Sequence, residues 1–187
     1  MNEQRSYPLF SACGLNCGLC PRFHTQGASR CPGCAGEGFS AVHPSCGVLT
    51  CSRKKGVEYC FQCVEYPCKK YDHAEDYDSF ITHRHMTKDF EKARERGVDA
   101  YRRELDEKVG ILEILLSDYN DGRKKNLYCI AVNLLELEDV RAVMEQLKEQ
   151  GVALTGKERA ALAARLFQEA ADRQGIILKL NQKKSAK

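Results

Sequence analysis

Apolar residues along this chain obey two different rules, and the change falls near Tyr71. Residues 75–96 are highly charged, with sparse apolar anchors at Tyr77, Phe80, Ile81 and Phe90, and read as a helix stopped by Gly97. From Asp99 the apolar positions are Tyr101, Leu105, Val109, Leu112, Leu115, Leu116 and Tyr119. Steps of three and four put them on one face of a second helix. Asn120, Asp121 and Gly122 favour a turn and break it. Leu127, Ile130, Ala131 and Leu134 predict a third helix, and Val140, Val143, Met144 and Leu147 a fourth, closed at Gly151. Thr155 and Glu158 have the capping-box spacing that opens a last helix, with Leu162, Leu166, Phe167 and Ala170 inward and Gly175 as its end. Residues 176–180 read as a short strand or an extended tail.

Residues 1–70 follow no such period. They hold all five prolines (Pro8, Pro21, Pro32, Pro44 and Pro67) and most of the glycines. Irregular structure is the expectation, and a stretch so short and so poor in apolar residues cannot offset its ordering entropy by burial alone. The fold class expected is mainly α. An irregular module over residues 1–70 precedes a helical domain over 71–187, of about five helices, packed on the first as one unit or standing apart.

What could order the first part is its cysteines. Ten of eleven lie between Cys13 and Cys68: Cys13, Cys17, Cys20, Cys31, Cys34, Cys46, Cys51, Cys60, Cys63 and Cys68. Six form three CxxC pairs, 17/20, 31/34 and 60/63. Each pair can offer two thiolates to one ion, and a tetrahedral metal takes two such pairs. Metal binding contributes on the order of 10–16 kcal/mol of apparent folding energy in small zinc modules. The simplest assignment joins 17/20 with 31/34, and 60/63 with two of Cys46, Cys51 and Cys68; a cross-braced one swaps pairs. Two tetrahedral sites use eight ligands and leave two thiols over.

Charge and compartment narrow the function. Residues 1–70 hold eight Lys/Arg against four Asp/Glu, and residues 71–187 hold 21 against 22. Eight thiolates on two divalent ions carry a net charge of about −4, which cancels the first segment's excess. No basic stripe survives for nucleic acid. No apolar run approaches the roughly 20 residues of a membrane span. The opening MNEQRSYPLFSACG lacks a secretory apolar core, which points to a reducing cytoplasm where clustered cysteines bind metal rather than form disulfides.

The motifs CGLNCGLC (Cys13–Cys20), CPGC (Cys31–Cys34) and CGVLTCSRKKGVEYCFQCVEYPC (Cys46–Cys68) together resemble the cysteine-rich family known as domain of unknown function 3795. The resemblance covers about residues 11–70. Its members are widespread in anaerobic bacteria and archaea, are regarded as zinc binders, and have no assigned activity. It implies that all ten cysteines are ligand candidates. Between Cys46 and Cys51 this chain has Gly47-Val48-Leu49-Thr50, where a common form of the family carries Arg-Lys.

Other residues have plainer readings. His24 and His43 could ligate, but ten thiolates compete with them. His83 and His85 are two apart and point to different helix faces. Cys129 sits in an apolar helical stretch as a small hydrophobe, and Arg123, Lys124 and Lys125 read as a solvated face. No Walker loop, GxGxxG, HExxH or GxSxG motif occurs, so no reaction is indicated. The expectation is two structural zinc ions in a binding or adaptor module with a protein partner. The alternative is an iron–sulfur protein in electron transfer or redox sensing.

Overall fold

The structure, a computed structural model, describes residues 4–151 and 153–182. Its seven helices are α1 (Phe39–Val42), α2 (Gly47–Lys54), α3 (Met86–Arg96), α4 (Val98–Asp118), α5 (Lys125–Leu134), α6 (Leu137–Gln150) and α7 (Gly156–Arg173), with no strand among the described residues. The class is mainly helical, as the periodicity predicts. The helix count is higher than expected because α1 and α2 fall inside the segment read as irregular. The opening of α2 has a cause that cap rules overlook. Its N-cap is Cys46, whose sulfur accepts the Leu49 amide at 3.5 Å, in place of the usual Ser, Thr, Asp or Asn.

A second correction concerns residues 75–85, which form turns before α3 begins at Met86. The Asp78 carboxylate accepts the His83 amide at 2.7 Å and the Asn181 amide at 2.7 Å. Local side-chain bonds of this kind compete with helix. They also tie down the tail. Arg84 donates to the carbonyls of Ile177 at 2.8 Å and Lys179 at 2.9 Å, so residues 176–180 run as an extended tail without forming a strand.

Helix α4 is the hub. It packs on α3, α5, α6 and α7, while α6 and α5 both pack on α7. Tyr101, Leu105, Val109, Leu112 and Leu115 are buried on the face that their spacing predicts. They meet Val132, Leu135, Val140, Leu147 and Phe167 in one core. The capping box at Thr155 and Glu158 is formed.

The cysteine-rich segment enters that same core. Phe10, Leu19 and Tyr59 are fully buried in it. The Phe10 ring lies 4.6 Å from Tyr101, 5.1 Å from Tyr59 and 5.6 Å from Phe90. Two glycines of the first motif permit the approach. A Cβ on Gly18 would come within 2.8 Å of Val109, and one on Gly14, at φ 95°, within 2.6 Å of the Met86 carbonyl oxygen. These glycines serve the docking of the loop on α3 and α4.

Candidate metal centre

None of the ten clustered cysteines is disulfide-bonded, and all but the buried Cys34 are half-buried. Cys51, Cys60, Cys63 and Cys68 line one cleft of about 400 Å³, together with Tyr66, Tyr71 and Lys55. Helix α2 supplies Cys51, the turn Cys60–Gln62 opens on Cys60, and Cys63 ends that turn. Tyr71 donates to the Cys13 carbonyl at 3.2 Å and hydrogen-bonds the Cys60 thiol.

The other six cysteines are not a separate group, because Cys13 neighbours Cys60 of that cleft as well as Cys17 and Cys34. Cys17 feels the charges of Cys34 and Cys13 most strongly, ahead of those of Cys20 and Cys31. Cys13 and Cys34 both interact with Cys46. Cys17, Cys34 and Cys46 also pack in one small cluster with Ala12, Ala35 and Leu49. One of the combinations left open by the spacing, 60/63 with Cys51 and Cys68, shares the cleft. The 17/20 with 31/34 pairing competes with a Cys13, Cys17, Cys34 and Cys46 set.

Polar groups reach two of the sulfurs: the Leu49 amide donates to Cys46 at 3.5 Å, and the Ser11 hydroxyl lies 3.1 Å from the Cys13 sulfur. A neutral thiol is a weak acceptor, whereas such bonds stabilise a thiolate on a metal. Burial, reinforced by neighbouring cysteines, pushes the Cys17 thiol well up and holds Cys34 at about 11. Ionising several thiols so close together requires a cation among them. The donor chemistry thus fits a thiophilic ion. Among the described residues, however, no three His, Cys, Asp or Glu side chains converge as a ready-made cage.

The remaining candidates sit elsewhere. His24 Nε2 lies 2.7 Å from the Gly18 carbonyl oxygen, and His43 stacks on Phe39 with ring centroids 4.4 Å apart. His83 bridges Ala74 and Ser79. Cys129 is buried in α5, and burial pushes its thiol up to about 12. Lys125 opens α5 and donates to Thr25.

One polar cluster escaped the sequence reading. Asn16, between Cys13 and Cys17, donates to Asp89 of α3 at 2.9 Å and Asn133 of α5 at 3.0 Å. It accepts from the Tyr101 hydroxyl at 2.9 Å. Lys108 is buried beside them and donates to the Leu135 carbonyl at 2.7 Å. The signal was present: Lys108 lies three residues after Leu105 and four before Leu112, on the apolar stripe. Burial raises the Asp89 carboxyl to about 6, against the pull of Lys108 and Lys92.

Residues 9–73 match a family model described as protein of unknown function (DUF3795). The match spans the thiol groups and stops before α3, which agrees with the resemblance carried by the cysteine motifs. No curated protein matches the chain, and no solved structure matches it. No helix is long and apolar enough to cross a membrane among the described residues.

Proposed function

We propose that residues 9–73 form a zinc module in which two ions, held by cysteine thiolates, fold the loops, and that the chain acts in the cytoplasm as a binding or adaptor module for another protein. The observation that carries this reading is the gathering of Cys51, Cys60, Cys63 and Cys68 on one cleft. The Leu49 amide on the Cys46 sulfur and the Ser11 hydroxyl beside the Cys13 sulfur support it. Zinc supplies charge for four thiolates and a cross-link between distant loops, without redox chemistry. This chain's own residues do the rest: the Leu49 amide and the Ser11 hydroxyl hold charge on Cys46 and Cys13, and Phe10, Leu19 and Tyr59 seat the module on the helices. Val64, nearly fully exposed between Cys63 and Cys68, is an apolar position offered to a protein partner.

Metal analysis of anaerobically purified protein, with an absorbance spectrum, tests the reading. Two zinc ions per chain and no visible band are expected. Iron with acid-labile sulfide and a band that bleaches on reduction would overturn it in favour of electron transfer or redox sensing.

A further inference from the structure

The turn that runs from Cys13 to Gly18 presents two faces. Gly14, Asn16 and Gly18 are buried, whereas Cys13, Leu15 and Cys17 alternate with them and are half-buried. The even positions meet the helices: Gly14 lies against the Met86 carbonyl of α3, and Gly18 against Val109 of α4. Cys17 instead packs with Cys34 and Cys46 of the neighbouring loops. Asn16 is the middle one of the three helix-facing positions. Its amide nitrogen gives one proton to Asp89 of α3 at 2.9 Å and the other to Asn133 of α5 at 3.0 Å. Its amide oxygen accepts from the Tyr101 hydroxyl of α4 at 2.9 Å. The side chain therefore bonds to three helices at once. Its backbone carbonyl accepts the Leu19 amide at 2.8 Å and opens the short turn Cys17–Leu19. One residue thus ties the helices to the backbone that carries Cys17.

Apolar burial is non-directional and tolerates a slip of such a turn. A buried amide with both protons and its oxygen placed accepts one register only. A slip of one residue would turn Cys13 and Cys17 onto the helices, away from the thiols of the other loops. We propose that Asn16 is a positioning residue of the metal centre: its bonds to α3, α4 and α5 lock this turn so that Cys13 and Cys17 are held toward their fellow ligands, and the helical half thereby sets how firmly zinc is retained. The proposal rests on the zinc reading above and deepens it. Asn16 acts through the two cysteines that flank its turn and not on the ion itself. Without it, the Asp89 carboxylate, the Asn133 side chain and the Tyr101 hydroxyl would each lose a partner at a buried seam, a cost that strains the turn further.

The test uses the full chain, zinc-loaded, with zinc retention read by competition against a chromophoric chelator and helicity by far-UV circular dichroism. Asn16→Leu keeps the side-chain volume and removes the three bonds. It should weaken zinc retention by about 10–100-fold, the usual cost of losing a group that orients ligands, with helicity unchanged. The double variant Asn16→Asp/Asp89→Asn reverses donor and acceptor across that pair, and the Asn133 amide can turn to donate. It should recover most of the wild-type affinity. Leu147→Ala, fully buried in α6, should lower the urea midpoint without moving zinc retention, which separates positioning from general stability. Wild-type retention in Asn16→Leu, a double variant no better than Asn16→Leu, or an equal loss of zinc in Leu147→Ala would overturn the role of Asn16 while leaving the zinc reading intact. A wild-type chain that binds no zinc would overturn both.

Discussion

The two halves of this protein solve the same problem by different means. Helices α4 to α7 bury their apolar stripes chiefly against one another, with Leu112, Leu115, Val140, Leu147 and Phe167 at the centre. The segment carrying the ten cysteines makes only one small cluster of its own, around Ala12, Cys34, Ala35 and Leu49. Its large buried side chains, Phe10, Leu19 and Tyr59, are spent in the other half's core. The lesson is that the loops borrow apolar burial from the helices, and the proposed thiolate ligation would add a second source of order among the loops themselves.

The sharpest way to break this comparison is to remove the borrowed burial. Phe10→Ala should lower global stability by about 3–5 kcal/mol, the usual cost of deleting a fully buried aromatic ring. Urea unfolding followed by far-UV circular dichroism reads it. A loss below about 1 kcal/mol would mean that the segment merely rests on the helices.

A smaller effect tests the polar contacts at the seam. Burial lifts Asp89 to about 6, so the native state keeps a proton that the unfolded chain releases. That contribution makes stability fall as pH rises from about 4 to 6. His85 has the opposite sign: burial first, then the ammonium groups of Lys88 and Lys108, lower it to about 4 against the pull of Glu136. The native state refuses a proton that the unfolded chain accepts, so stability rises with pH between about 4 and 6.5. Burial raises Glu136, but Lys88 and Lys92 override it and hold it at about 2, below this window. In the wild type the two slopes oppose each other. Relative to wild type, His85→Gln should lose about 1–3 kcal/mol between about pH 4 and 6. Asp89→Asn should instead gain stability over the same interval. Urea midpoints at several pH values check both, and variant curves parallel to wild type would contradict the assignment.

Much of the helical half could be read directly from the chain. The stripe from Tyr101 to Leu115, the break at residues 120–122 and the capping box at Thr155 are local signals, and local signals survive packing. Residues 75–85 could not be read this way, because Asp78 bonds to Asn181 at the other end of the chain. Helix α2 was hidden by a thiol serving as its cap. For the candidate site, cysteine spacing supplied the ligand candidates and the family resemblance, and the family model over residues 9–73 bears out the second. The packing of Cys46 with Cys17 and Cys34 depends on loops meeting in space, which spacing does not encode. Nor does it reveal that Gly14 and Gly18 face α3 and α4.

Hydrogen–deuterium exchange of the zinc-loaded chain, compared with the same chain stripped by a chelator, tests the central claim most directly. On stripping, residues 9–73 should lose protection, with partial loss in α3 and the first half of α4, where Phe90, Tyr101 and Leu105 meet Phe10 and Tyr59. Helices α5, α6 and α7 should keep theirs. Identical protection in the two samples would contradict the account, because the loops would then hold their fold without the metal.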